Sequence, residues 1–194
     1  MAGHPALLVM DLINEIVHPA GKYAAEGYAG QVAGREVLEH AATAISRARA
    51  AGVPVIHVVV GFQPDYSDWP PGSPVFAPAR QEGRLILGTW ATRPHDQVKP
   101  ALDEPVVVKR RLSPFYGTEL ELLLRTRGVD TVLLAGVSTD LVVLSTAREA
   151  HDRDFQVVVL EDATAAATQE THQAAVRLLA RTATVTTVDA ALPA

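Results

Sequence analysis

The chain has 194 residues, a length that favours one domain over two. Its composition, 48% hydrophobic and 20% charged, is close to the globular average and excludes a disordered chain or a fibre. The absence of cysteine excludes disulfides, thiolate metal sites and a cysteine nucleophile. A formal net charge of −5 gives no indication of nucleic acid as a partner. We therefore expect one globular domain over residues 1–194.

The amino terminus lacks the features of a secretory signal. Its apolar run ALLVM is short and ends at Asp11, with no basic start and no small-residue cleavage site. No apolar stretch in the chain approaches the ~20 residues that a membrane-spanning helix needs. These observations predict a soluble, cytoplasmic protein without a membrane partner.

Six short apolar runs, most of them rich in β-branched residues, predict strands buried on both faces, as in a parallel sheet. They are Ala6–Met10, Val53–Val60, Pro105–Val108, Thr131–Ala135, Gln156–Leu160 and Ala183–Val188. Apolar residues at helical spacing predict helices between them. These segments are Gln31–Ala51, Thr118–Arg127, Asp140–Arg153 and Thr168–Arg181. The alternation predicts an α/β fold, an open sheet with helices on both faces.

One segment, Phe62–Gly88, interrupts this alternation and contains five prolines. A loop of this length inside a compact domain is usually functional or disordered. We interpret it as the rim of an active site, with a variable surface loop as the alternative.

Polar residues follow three of the predicted strands: Asp11, Lys109 and the turn Gly136–Thr139. In such sheets ligands bind beyond the carboxyl ends of the strands, so these residues would converge on one rim if their strands are neighbours. Burial would raise the pKa of Asp11, whereas Lys109 nearby would lower it. Taken singly, each has an ordinary interpretation: a capping carboxylate, a solvated lysine and a plain strand-to-helix turn.

The turn after the fourth strand offers free backbone amides. Thr139 or Asp140 is a plausible N-cap of the following helix, and amides at that helix start can bind a carboxylate or a developing oxyanion. Arg110 and Arg111, next to Lys109, could together meet an anionic substrate.

Three segments, in this order and spacing, resemble the isochorismatase-like hydrolases of the cysteine-hydrolase superfamily. They are ALLVMDLINE, VVVKRRLSPF and LLAGVSTDLVVLSTAREAHDRDFQVVVLEDATAA, and the resemblance extends from Ala6 to about Val188. It implies a Rossmann-type, three-layer α/β/α domain with a six-stranded, mostly parallel sheet. It also implies an Asp–Lys–Cys catalytic set, and a homodimer or homotetramer. By position, the aspartate is Asp11 and the lysine is Lys109.

The resemblance places Val142 at the cysteine position, where a valine cannot form a covalent intermediate. The family's turn often contains a cis peptide, which here would be Val137–Ser138, and the amides of Ser138 and Val142 would form an oxyanion hole. Ser138, Thr139 and Val142 are therefore predicted to contact substrate.

No metal and no cofactor are predicted. The family's nicotinamidases hold a metal with an Asp-x-His pair and a further histidine, whereas the corresponding segment here, GFQPDYSDWPPG, has no histidine. His57 lies within a predicted strand and is interpreted as a core or rim residue. Ser145 is interpreted as helix packing, because no histidine is evident as the base that a serine nucleophile would need.

Three functions are consistent with this pattern. The first is a cysteine-independent hydrolase of a small molecule. Its most concrete form is implied by the resemblance to the family's isochorismatases, which keep the aspartate and lysine without the cysteine: a vinyl-ether hydrolase with Asp11 as general acid and Lys109 orienting the substrate. An anionic substrate is one option, and Arg84, among other arginines, could hold its carboxylate. The second is a catalytically silent member that binds a ligand or serves in an assembly. The third is an amide (C–N) hydrolase in which Asp11 activates water.

Overall fold

The computed structural model describes residues 3–193, so Met1, Ala2 and Ala194 of the predicted domain lie outside the described residues. Six parallel strands form one sheet in the order β3-β2-β1-β4-β5-β6. They are β1 (Pro5–Met10), β2 (Val55–Val60), β3 (Val106–Lys109), β4 (Thr131–Val137), β5 (Gln156–Ala165) and β6 (Thr184–Thr186). Each overlaps a predicted strand, and the α/β class with a six-stranded parallel sheet is confirmed.

The central strands are buried because both faces of the sheet are covered. Leu7 and Val9 of β1 point into an apolar cluster on one face, and Leu8 and Met10 point into a second cluster on the other. Continuous apolar sequence, rather than alternation, is the consequence of this two-sided burial.

Helices cover the two faces of the sheet. They are α1 (Asn14–Val17), α2 (Tyr28–Gly34), α3 (Val37–Ala50), α4 (Ala77–Glu82), α5 (Leu120–Thr126), α6 (Leu144–His151), α7 (Gln169–Leu179) and α8 (Val188–Ala191). Within residues 3–193, none of the helices has the length and apolar character required to cross a bilayer.

Two predicted elements need correction. The single helix predicted over 31–51 is two helices, α2 and α3, because Glu36 adopts a left-handed conformation with φ of 53° between them. The helix predicted from Asp140 begins instead as a π-helical turn, Thr139–Val143, before α6.

The strand order reverses between β1 and β4, which places a crevice at their carboxyl ends. The two strands approach closely there, and Gly136 (φ 131°) has no room for a side chain, since a Cβ would collide with the carbonyl of Met10. This contact sets Asp11, directly after β1, beside the turn at Ser138.

Candidate active site

Asp11 and Lys109 form a buried ion pair at the carboxyl end of the sheet. Lys109 is the last residue of β3, two strands from β1, and its long side chain reaches across to Asp11. Lys109 Nζ lies 2.8 Å from Asp11 Oδ2, and both side chains are 1% exposed. Lys109 Nζ also donates a hydrogen bond to the carbonyl of Arg111 at 3.0 Å. The structure thus brings together the two side chains that the sequence selected, while their catalytic roles stay predictions.

The two oxygens of the Asp11 carboxyl have different surroundings. Burial raises the pKa of Asp11 above its ordinary value, and the charge and hydrogen bond of Lys109 oppose that rise only in part. Oδ2 contacts Lys109, whereas Oδ1 is buried and has no hydrogen-bond partner among the described residues. A buried carboxyl oxygen without a hydrogen-bond partner is unfavourable, so Oδ1 is suited to bind water or a substrate.

A cavity of about 60 Å³ lies against this pair. Asp11, Lys109, Ser138 and Val142 contribute to its wall. The remaining lining is mostly aliphatic and aromatic, and consists of Ile16, Tyr23, Tyr28, Val60, Val75, Phe76, Leu85, Leu112, Val137 and Leu141. Val75, Phe76 and Leu85 belong to the proline-rich segment, which therefore forms part of the cavity wall, as expected of an active-site rim.

The turn after β4 presents Ser138 to this cavity. The Val137–Ser138 peptide is cis, as in the family pattern that the sequence resembles. The hydrogen bonds of residues 3–193 include none from the Ser138 amide, but the Val142 amide donates to the Ser138 carbonyl at 2.9 Å. Ser138 is thus available as an oxyanion donor, whereas the predicted use of the Val142 amide lacks structural support. The Val142 side chain lines the cavity and is 6% exposed.

Thr139 is not the helix cap suggested by the sequence, nor does it line the cavity. Its hydroxyl is fully buried and lies 2.9 Å from Nδ1 of His172 on α7. Sequence reasoning missed His172, although the residue occupies the apolar face of its helix with Ala175 and Leu179. A polar residue on a buried helical face was the available signal.

The guanidinium of Arg84 is engaged by protein groups. It pairs with Glu26 and, at 2.7 Å, with Glu82, and it stacks 4.3 Å from the ring centre of Tyr23. Arg84 does not line the cavity, so its predicted contact with a substrate carboxylate lacks structural support. Through Tyr23, which does line the cavity, Arg84 instead supports the wall.

The two arginines after Lys109 hold the rim segment rather than an anion. Arg110 Nε lies 2.8 Å from Asp68 Oδ2, and Arg111 donates to the Asp68 carbonyl at 3.2 Å. The pairing with Arg110 helps to hold the pKa of Asp68 below its ordinary value, despite the opposing effect of burial.

The residues present do not fit the metal site of the nicotinamidases. In the corresponding segment Asp68 pairs with Arg110, and Asp65 accepts the amide of Ser67. His57 is buried and bound to Glu104 at 3.1 Å, in agreement with a core position. Between residues 3 and 193, no three or more His, Cys, Asp or Glu side chains are arranged to hold a metal.

Comparison with known proteins places this geometry in a family. Residues 5–190 match the Isochorismatase domain model. The chain is 38% identical over 168 residues to the uncharacterized isochorismatase family protein YecD of Escherichia coli O157:H7, covering 86% of this chain and 82% of YecD. It is 34% identical over 170 residues to the ureidoacrylate amidohydrolase RutB of Methylorubrum extorquens, covering 81% of this chain and 68% of RutB.

Solved structures show the same relationship. An isochorismatase family protein from Desulfovibrio vulgaris superposes with a TM-score of 0.87 at 31% identity, over 97% of this chain and 96% of that protein. The family match, the sequence identities and the shared architecture agree. The chain belongs to the isochorismatase family and is an isochorismatase-like hydrolase by fold and sequence.

Proposed function

We propose that this protein hydrolyses a small molecule with water as the nucleophile and Asp11 as the acid–base group. One observation carries the proposal: Asp11 lines a cavity, its Oδ1 has no partner in the described part of the chain, and its Oδ2 is fixed by Lys109. A chain without cysteine has no thiol to form a covalent thioester, and the proposed reaction therefore uses water as the nucleophile.

The raised pKa of Asp11 favours its use as a general acid, and vinyl-ether hydrolysis is the most concrete reaction of that kind. Asp11 gives its proton to the enol carbon, and water adds to the resulting oxocarbenium carbon. That water returns a proton to the Asp11 carboxylate. The hemiketal then collapses to a carbonyl compound and an alcohol. Lys109 stabilises the Asp11 carboxylate during the interval in which it is ionised.

Amide hydrolysis is the second candidate, and the amidohydrolase activity in the name of RutB favours it. Here the Asp11 carboxylate takes a proton from water, and the hydroxide adds to the amide carbon. The oxyanion accepts a hydrogen bond from the Ser138 amide. Asp11 then gives the proton to the leaving nitrogen as the C–N bond breaks. Lys109, at 2.8 Å, supports the ionised carboxylate at the start.

Substrate turnover tests the proposal and separates the two reactions. Wild type, Asp11→Asn and Lys109→Ala are assayed on isochorismate, as the vinyl ether, and on a panel of small amides. The chain offers a matched control in Asp96 and Lys99, an exposed pair at 2.9 Å whose side chains are 83% and 64% exposed. Asp96→Asn and Lys99→Ala are expected to keep wild-type rates, whereas both buried variants lose turnover.

Equal rates in wild type and both buried variants would refute a role for the ion pair. Folding of each variant is checked by circular dichroism, so that loss of structure is distinguished from loss of chemistry. Lack of turnover by wild type on both substrate classes, with ligand-induced stabilisation retained, would support the catalytically silent alternative.

A thiol at position 142 tests the shape of the site independently of turnover. Because the chain has no cysteine, Val142→Cys introduces a single thiol. A small alkylating reagent is expected to label it, because Val142 lines the cavity. Ala147→Cys, fully buried on α6 and outside the cavity wall, is the matched control and is expected to resist labelling. Equal resistance at both positions would contradict the placement of residue 142.

A further inference from the structure

A chain of polar side chains runs behind the turn that carries Ser138. Thr139 Oγ1 lies 2.9 Å from His172 Nδ1, and His172 Nε2 lies 2.7 Å from Glu161 Oε1. Arg35 donates to the same Glu161 oxygen, also at 2.7 Å. Thr139 and His172 are 0% and 1% exposed, and the proposed chemistry uses neither of them directly.

Glu161, at the end of this series of hydrogen-bonded side chains, sets the direction of the hydrogen bonds. Burial alone would raise the pKa of Glu161, but the hydrogen bond with His172 and the charge of Arg35 lower it below its ordinary value. An ionised Glu161 only accepts, so His172 Nε2 carries a hydrogen. If the ring carries no second proton, Nδ1 is then an acceptor and receives the hydrogen bond of the Thr139 hydroxyl. This bond fixes the orientation of the Thr139 side chain.

We propose that His172 is a positioning residue that, through Thr139, holds the adjoining Ser138 amide toward the cavity. The inference rests on the proposed function, where that amide stabilises the oxyanion of amide hydrolysis. The Val142 and Val143 amides hold the Ser138 carbonyl at 2.9 and 3.0 Å, while the Ser138 amide makes no hydrogen bond to any of the residues from 3 to 193. Displacement of such a donor by about 1 Å can lower a rate by about 100-fold.

Replacement of the Thr139 hydroxyl tests the first link. Thr139→Val keeps the shape of the side chain and removes its proton, whereas Thr139→Ser keeps the hydroxyl. Thr131→Val is the control, a buried threonine at the opposite end of β4. We expect the Ser138 amide resonance to shift in Thr139→Val and to stay near its wild-type position in the other two variants. For an amide substrate, kcat should fall by about 10- to 100-fold in Thr139→Val with little change in KM.

Two substitutions of His172 separate its two hydrogen bonds. His172→Asn places an acceptor near the former Nδ1 and loses the Glu161 bond, and His172→Gln places a donor near the former Nε2 and loses the Thr139 bond. We expect the asparagine variant to keep the Ser138 resonance and most of kcat. The glutamine variant should resemble Thr139→Val. If Thr139→Val does not fold, His172→Gln makes the same comparison.

The Ser138 amide resonance tests the positioning role of His172, whereas substrate turnover tests the proposed function. An unchanged Ser138 resonance in folded Thr139→Val and His172→Gln overturns the positioning role, whatever the activity. An equal effect of His172→Asn and His172→Gln overturns it as well, because a merely structural histidine would not distinguish the two nitrogens. Failure of wild type on every substrate refutes the proposed function, while the resonance comparison still decides the positioning role.

Discussion

Replacement of Lys109 by methionine should destabilise the protein strongly, because it leaves a carboxyl buried without its countercharge. Lys109 and Asp11 are both 1% exposed, and Lys109 Nζ lies 2.8 Å from the carboxyl. Breaking a buried pair by removal of one partner typically costs about 3–5 kcal/mol. That is a large share of the roughly 5–15 kcal/mol by which domains are stable.

The loss should depend on pH. The pKa of Asp11 in the folded protein is raised above 3.8, mainly by burial. The folded state therefore binds a proton that the unfolded state has released, and stability falls as pH rises from near 3.8 through the folded pKa. Without Lys109 the folded pKa rises further, so Lys109→Met should lose more stability at neutral pH than in mild acid.

Urea unfolding followed by circular dichroism measures this loss. With a slope near ~2 kcal/mol/M, a change of ~4 kcal/mol moves the midpoint by about 2 M. The double variant Asp11→Asn/Lys109→Met should recover much of the loss, since no buried charge remains. Lys99→Met, which breaks an exposed pair, should change stability by less than ~1 kcal/mol. A Lys109→Met midpoint within the range of Lys99→Met would refute the reasoning.

Three further predictions concern other parts of the fold, each measured by urea unfolding. Gly136→Ala should cost about 3 kcal/mol or more, because φ is 131° and backbone atoms occupy the space of a Cβ, whereas Gly34→Ala has open space and should be neutral or stabilising. Thr168→Ala should cost about 1 kcal/mol, since its hydroxyl caps α7 with a 3.1 Å bond from a first-turn amide; no change would contradict the cap. The hydrogen bond from Arg49 is the main reason that the pKa of Glu104 is lowered to about 2. The ionised Glu104 therefore stabilises the folded state fully above pH 4.5, and this stabilisation is lost as the pH falls toward 2. In Glu104→Gln, the free energy of unfolding should fall less between pH 4.5 and pH 2 than in wild type. An equal fall in the two proteins would exclude Glu104 as the source of this pH dependence.

The architecture was predictable because burial on both faces imposes a pattern that sequence displays directly. The runs that form β1 and β4 are continuously apolar, which is typical of strands buried on both faces. The helices predicted between the strands indicated parallel crossovers. Helix boundaries were less predictable. The break at Glu36 depends on one left-handed residue, and the apolar spacing continues across it from α2 into α3.

Within the site, a residue was predictable when the order of the strands alone determines its position, and not when its position depends on how helices and loops pack. Asp11 follows β1 and Lys109 ends β3, two strands away at the same edge of the sheet, so their convergence needs only the strand order and the length of the lysine side chain. His172 could not be placed because its contact with Thr139 depends on how α7 packs against the turn. The predicted contact of Arg84 with a substrate carboxylate lacks support for a related reason: the sequence does not show that the carboxylates of Glu26 and Glu82 pair with its guanidinium.

Three unfavourable features coincide at the carboxyl end of β1. Asp11 adopts a left-handed φ of 53°, which costs roughly 1 kcal/mol or more for a residue other than glycine. Its Oδ1 is buried and has no hydrogen-bond partner within residues 3–193, which costs a further ~1–3 kcal/mol. The adjoining cavity of about 60 Å³ costs about 1.4 kcal/mol at ~24 cal/mol per Å³. An apolar residue in a regular conformation would remove the first two. Since packing alone does not require them, their coincidence around Asp11 is better explained by a ligand that completes the site than by the stability of the sheet.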